Sequence, residues 1–377
     1  MTDYQQEILY SIALSKLPHI GLVTVKRLYE EAGSATAIFE NRKHITDLIS
    51  DAAPQLQDAL NNCSEAMRLA EAECEYIEKK RITAYTMNSD DYPQRLLECN
   101  DAPLVLFFCG KANLNSHHII NIVGTRRCTQ YGKDICREFI ADLKRECPDV
   151  LILSGLAYGI DIHAHRAALQ NGMSTIGVLA HGLDRIYPAV HRQTAVKMTE
   201  NGGLLTEYLS GTTPEKINFV RRNRIVAGIA DATIVVESAE HGGALITAEL
   251  ASTYNRDVFA FPGRISDEFS EGCNKLIARQ KATMILNAHE FLKSMNWTQG
   301  SLFAKEENAQ QTLFPELTPD EATIVQVLRN CDNKQINQIV VETGLNFHTV
   351  SSCLYELEYK GVVTLLGGAR YRLIISC

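Results

Sequence analysis

The chain has 377 residues, 45% hydrophobic and 22% charged, with a formal net charge of -8. That length exceeds one small core and implies two or three domains, and the acidic balance excludes a uniformly basic nucleic-acid coat while leaving room for a local basic stripe. Eleven cysteines without a C-x-x-C pair offer neither a disulfide framework nor a zinc site. No signal-peptide pattern opens the chain and no run reaches the roughly 20 apolar residues of a membrane helix. The expectation is a reduced, cytoplasmic protein with no metal, cofactor or membrane partner.

Residues 1–81 read as helical, from apolar positions three and four apart in LYSIALSKL, VKRLYEEAG and EAMRLAEAECEYIEKK. Within them LPHIGLVTVKRL has the outline of a helix-hairpin-helix, with His19 where the first hairpin glycine usually stands. The segment is either a DNA-contacting module or a small packing domain. Residues 82–116 end in APLVLFFCGK, a strand-like run at the edge of a long alternating region. In that region, from about 117 to 296, β-branched runs (HIINIVGT, VLILSGLA, STIGVLAHG, GLLTEYL, ATIVVESA, DVFAFPG, ATMIL) alternate with helical segments. This predicts an α/β domain over 82–297, Rossmann-like and doubly wound around a mainly parallel sheet. Residues 298–316 lose periodicity and read as a linker; 317–377 read as three helices and a hairpin turning at Gly367-Gly368, the winged-helix plan.

Ligands of an open α/β sheet bind beyond the carboxyl ends of its strands, where helix N-termini offer free N–H groups. Three glycine turns follow strands here: Gly124-Thr125 with Arg126 and Arg127, then Ser154, Gly155 and Gly159, then Gly242 and Gly243. All three fall on one edge of the sheet, which suggests a shared anion site. None is a G-x-G-x-x-G or a P-loop, so no dinucleotide or ATP pocket is indicated. The decamer FVRRNRIVAG adds Phe219, Arg221, Arg222, Asn223 and Arg224, with no Asp or Glu between Ile217 and Ala230 to answer the charge. Helical phase places Arg222 on the apolar stripe with Ile225, Val226 and Ile229, either structural or ligand-facing. The same phase places Arg221 and Arg224 on the opposite face with Gly228, facing a phosphate. The competing reading is a salt-bridge network with Asp161, Glu207 or Glu237. His163 and His165 diverge on their helix, His181 and His191 lack a third ligand, and L-S-G-L around Ser154 is not a nucleophile elbow. No catalytic pair is readable, and Asp161 reads as a cap or turn former.

In order, GTRRCTQYG, LSGLAYGIDIHAH, GLDRIYP, INFVRRNRIVAG, ESAEHGGALITAELA, VFAFPG and EGCNKLI resemble the DprA (Smf) family of DNA-processing proteins, over residues 90–290. The resemblance implies a non-enzymatic protein that binds single-stranded DNA on its Rossmann-like domain and forms a homodimer through it. It also implies protection of incoming DNA and loading of the RecA recombinase in natural transformation or DNA processing. It places Arg126 and the block Arg221, Arg222, Asn223 and Arg224 in the DNA groove. An alternative is a nucleotide-processing phosphoribohydrolase on the same fold, echoed by Gly242, Gly243 and Glu249 at the wrong spacing. From Leu317 on there are six acids and five bases, and the third helix carries Glu356 and Glu358 against Lys360. A protein-contact or regulatory tail fits that balance better than a DNA reader.

Overall fold

The computed structural model describes residues 2–48, 54–297, 317–329, 334–360, 362–366 and 370–373. It falls into two compact units, Met1–Gln299 and Gly300–Cys377. The expected linker, 298–316, and the expected hairpin turn at Gly367-Gly368 lie outside the described residues.

The first unit opens with helices α1 (Asp3–Ser15), α2 (Leu22–Ala32), α3 (Ala35–Glu40), α4 (Ile45–Leu48), α5 (Pro54–Asn61) and α6 (Ser64–Lys80). A capping box starts α1: the Thr2 hydroxyl accepts from the Gln5 amide, and the Gln5 side chain accepts from the Thr2 amide. In the hairpin between α1 and α2, His19 stands at φ 64, the left-handed backbone that glycine usually supplies. Lys26 of α2 turns inward and donates to the Leu97 and Cys99 carbonyls. Ile12, Leu28 and Phe39 of these helices share one core with Phe107, Leu205 and Ile229. Residues 81–82 thus mark a change of secondary structure and not a gap in the core.

After them come β1 (Thr83–Thr86), α7 (Gln94–Leu97), β2 (Val105–Gly110), β3 (Ile119–Val123), α8 (Gln130–Glu146), β4 (Leu151–Ser154), α9 (Ile160–Gln170) and β5 (Thr175–Val178). They are followed by α10 (Arg192–Asn201), β6 (Gly203–Thr206), α11 (Lys216–Ile229), β7 (Ala232–Val235), α12 (Gly243–Thr253), β8 (Asp257–Ala260), α13 (Glu271–Ala278), β9 (Thr283–Met284) and α14 (Ala288–Ser294). The strands form one sheet in the order β1-β2-β6-β5-β4-β3-β7-β8-β9. β6 through β9 pair in parallel; β1 and β2 add antiparallel to the β6 edge, so 82–116 contributes two strands. The pleat divides the core: Ile120 and Ile122 face Phe139 of α8 and Ala164 of α9, while Val123 faces Ala227 of α11 and Ala248 of α12. The sheet is therefore mixed α/β and mostly parallel, with helices on both faces.

Strand order reverses at β3: β4, β5 and β6 extend to one side, and the chain then crosses back to add β7, β8 and β9 on the other. The loops leaving β3 and β7 diverge, which opens a crevice at their carboxyl ends. Val123 is level with Val235 in the β3–β7 register, so the two exits lie side by side.

In the second unit α15 (Pro319–Arg329), β10 (Lys334–Gln335), α16 (Ile336–Thr343), α17 (Phe347–Tyr359), β11 (Val363–Leu366) and β12 (Arg370–Leu373) follow in sequence. The strands pair antiparallel in the order β10-β12-β11, and Ile324, Leu328, Ile339, Val350, Leu354 and Leu357 fill the core.

Candidate nucleic-acid interface

A cleft of about 240 Å³ lies at the β3–β7 reversal. Its walls are the β3 exit (Gly124, Thr125, Arg126), the turn after β4 (Ala157, Asp161), one side of α11 (Phe219, Arg222, Asn223) and the start of α12 (Gly242, Gly243, Thr247). All three turns therefore reach the cleft, the middle one through Ala157 and Asp161 and not through the residues singled out in it, Ser154, Gly155 and Gly159.

Thr125 is pinned by its amide donating to the Glu237 carbonyl, and its own carbonyl accepts from the Ile160 amide. Gly159, at φ 78, sits so close that a Cβ would stand 2.1 Å from the Thr125 carbonyl oxygen. Only glycine fits, and the contact seats the start of α9 beside Arg126. Gly242 precedes α12 with no side chain capping the helix; the Leu245 amide donates to the Gly242 carbonyl, which leaves the Gly243 and Ala244 amides, at the cleft wall, as the open donors of the first turn.

Arg126 is exposed, its guanidinium 5.0 Å from the Phe219 ring centre. Phe219 in turn lies 5.8 Å from Tyr187, whose side chain is 45% exposed. An arginine resting on aromatics at the mouth of an amide-lined cleft presents both a charge for phosphate and a flat face for a base. Asn223 is half-buried in the wall.

The other predicted residues take different places. Arg127 is exposed but leaves the cleft, its guanidinium 5.8 Å from the Phe269 ring, because consecutive residues of an extended turn point apart. Ser154 is fully buried and donates to the Ile122 carbonyl at 2.6 Å; it ties β4 to β3 and faces no solvent. The Gly155 amide donates to Asp161, and a Cβ there would stand 2.1 Å from Nη1 of Arg222. Gly155 is thus the gap into which Arg222 lies.

Arg222 is 4% exposed, donates to the Val178 carbonyl and faces Asp161. Burial pulls the Arg222 guanidinium below its ordinary value, and Asp161 partly restores it. Burial likewise pushes the Asp161 carboxyl up; Arg222 and the amides of Ala157 and Gly155 hold it back. Arg222 forms the floor of the cleft, with its Nε among the buried atoms lacking a hydrogen-bond partner. The turn-forming role of Asp161 is as anticipated.

Arg224 corrects the phase argument. It is 5% exposed, bonded to Glu207 and to the Asp101 carbonyl, and does not share an outer face with Arg221. Gly228, on the same side, lies against Leu96 and Cys99. α11 is covered by the sheet on one side and by residues 92–101 on the other. Six consecutive apolar or glycine residues from Ile225 to Ala230 are the sequence signal of a helix enclosed on both sides. Of the three arginines only Arg221 is exposed, with no ion pair among the described residues, on the side toward Tyr208 and outside the cleft walls.

Glu237 pairs with no arginine among the described residues. Its carboxylate accepts from the Thr129 amide and hydroxyl beneath Gly132, at the positive end of α8. The histidines hold loops and core. His165 is bonded to Thr175, and burial drops its pKa to about 3. His181 meets the Gly182 carbonyl and the Tyr187 amide, and His191 meets the Leu156 carbonyl. Glu249 lies outside the cleft, near Lys281. The exposed aromatics Tyr158 and Tyr187 were not legible as site residues, since their exposure depends on loops with no period.

Fold and site together define an α/β protein with a cleft at its strand reversal that is rimmed by an exposed arginine and aromatic rings. The chain belongs to the DNA recombination-mediator protein A family, whose model matches residues 83–296. It is 39% identical over 215 residues to the DNA processing protein DprA of Streptococcus pneumoniae, covering 57% of this chain and 75% of that one. The crystal structure of DprA from S. pneumoniae superposes with a TM-score of 0.64 at 31% identity, over 78% of this chain and 98% of that one. A structure of Helicobacter pylori DNA processing protein A, described for its single-stranded DNA binding mode, matches with a TM-score of 0.52 at 29% identity, over 57% of this chain and 95% of that one.

Proposed function

We propose that this chain binds single-stranded DNA in the β3–β7 cleft, shields it, and loads the RecA recombinase onto it as a non-enzymatic mediator in transformation or DNA processing. The observation that supports this most is the convergence of exposed Arg126, the Phe219 ring, Asn223 and the open amides of α12 on one crevice. Phosphates answer the arginine and the amides, and bases stack on the aromatics without a sequence code. Arg221 acts on the outer rim. The description of the H. pylori relative by its single-stranded DNA binding points the same way.

The test is fluorescence anisotropy on oligo-dT across a salt series. Arg126→Ala should weaken binding and make the log–log salt slope shallower by about 0.7, one released counterion site on a single strand. Base release from a nucleoside monophosphate without DNA binding would replace this reading by the phosphoribohydrolase. RecA loading is checked by filament growth on strands coated with single-strand-binding protein.

For the homodimer the reading favours the β9 edge, where Met284, on a strand paired on one side, and Leu286, two residues past it, are 50% and 58% exposed. Met284→Asp should shift the protein to monomer in sedimentation velocity. The second unit we read as a winged helix, from its three helices and β10-β12-β11 sheet. Its α17 exposes Phe347, Tyr355 and Tyr359 at 55%, 71% and 85%, and Lys360 is held by Glu321. An aromatic face of this kind suits a protein partner.

A further inference from the structure

The path of a strand beyond the cleft follows from cations that the cleft itself does not use. On the neighbouring face, α8 and α9 pack side by side, and between them lies a hollow of about 340 Å³ lined by Lys133, Arg137, His163 and Arg166. Arg137 is answered by Asp134 at 2.8 Å and Glu138 at 3.4 Å. Lys133 and Arg166 have no carboxylate partner among the described residues. In a chain of net charge -8, these two cations face one another across a single hollow. His163 lies between them, half-buried, and is held below its ordinary value by burial first and then by Lys133, Arg166 and His191.

The hollow and the cleft are separate cavities linked by the start of α9. Gly159 presses against Thr125 and Arg126, so α9 starts at the cleft mouth. At 1.5 Å per residue, His163 and Arg166 stand only about 5 and 9 Å along the helix from Ile160. Tyr158, which follows Ala157 of the cleft wall and precedes the start of α9, is 49% exposed, its ring edge-on to His191 at 5.1 Å.

Building on the reading of the cleft as a single-strand site, we propose that Lys133, His163 and Arg166 form a second backbone-phosphate site. A strand leaving the cleft past Arg126 stacks a base on Tyr158 and lays its next phosphates across the α8–α9 hollow. The Lys133 ammonium, the Arg166 guanidinium and one imidazole N–H donate to phosphate oxygens there. Contact is with the backbone, so the site adds length and polarity to the footprint without adding sequence preference.

The experiment compares the full chain with Lys133→Ala/Arg166→Ala on two oligo-dT lengths, about 4 and about 16 nucleotides, the span of common single-strand site sizes. The short strand fills the cleft alone, so its affinity should stay within about twofold of wild type. The long strand should bind about tenfold more weakly, with a salt slope shallower by about 1.4 for two lost phosphate contacts. Lys144→Ala, at the far end of α8, is the control and should change neither. Equal losses on both lengths, or a long strand bound as by wild type with an unchanged slope, would overturn the second site and leave the cleft standing. A wild-type protein that binds neither length overturns both. Unchanged thermal unfolding of the double variant secures the comparison, since these side chains lie at the surface.

Discussion

Replacing Arg224 by alanine separates the arginines of α11 that hold the protein together from those open to a ligand. The Arg224 and Glu207 side chains are 6% and 12% exposed, and Arg224 also bonds the Asp101 carbonyl. Deleting one partner of such a pair strands the other charge, a loss of about 3–5 kcal/mol. Glu207 can respond by taking up a proton, which near pH 7 costs about 3 kcal/mol, 1.36 kcal/mol for each of roughly 2.5 pH units. That caps the electrostatic part, and the lost bond to Asp101 adds about 1 kcal/mol. The total is about 4 kcal/mol.

The pH trend gives this prediction its second edge. In the wild type, burial already pushes the Glu207 carboxyl above its ordinary value, and Arg224 is the first force pulling it back. Without Arg224 the folded-state value climbs further above the unfolded one. A carboxyl raised in the folded state contributes its stability below the unfolded value and loses it as pH rises through the folded value. The variant should therefore lie closest to wild type near about pH 5 and fall further behind toward about pH 8. Urea unfolding followed by the single tryptophan, Trp297, which stacks on His118 at 4.0 Å within the first unit, measures both. A loss below about 1 kcal/mol without a pH trend refutes the buried-pair account. So does a fall in DNA affinity, under folding conditions, as large as that of Arg126→Ala.

Gly155→Ala drives a methyl into the Arg222 guanidinium and should cost about 1–3 kcal/mol in the same urea assay; an unchanged midpoint would mean that Arg222 is free to move. Phe219→Ala should weaken oligo-dT binding by about 1–3 kcal/mol, the worth of one stacked base, with an unchanged salt slope. A slope that moves with it would assign the loss to Arg126, which rests on that ring. Deleting 305–377 should leave oligo-dT affinity as it is, because that segment carries nine acids against six bases; a large loss would make the second unit a DNA-binding module.

What the amino-acid order determined by itself was the alternation of buried strands and helices, and with it the placing of Gly124, Gly159 and Gly242 on one edge of a parallel sheet. Those features are local: apolar runs and glycine turns carry them within about ten residues. The order also marked Arg126 and the α11 arginines as charge without neighbouring acids. It could not say which of those arginines is open, since helical phase gives angles between side chains and not which arcs are covered. Only the tertiary structure decided that, by laying residues 92–101 over the second side of α11, so that Asp101 and Glu207 enclose Arg224 while Arg221 stays exposed. Asp101 is 123 residues away along the chain. The strand reversal at β3 is decided the same way. Whether β7 adds beside β3 or beside β6 depends on which neighbour buries its two faces, a comparison between whole sheets that no window of sequence contains.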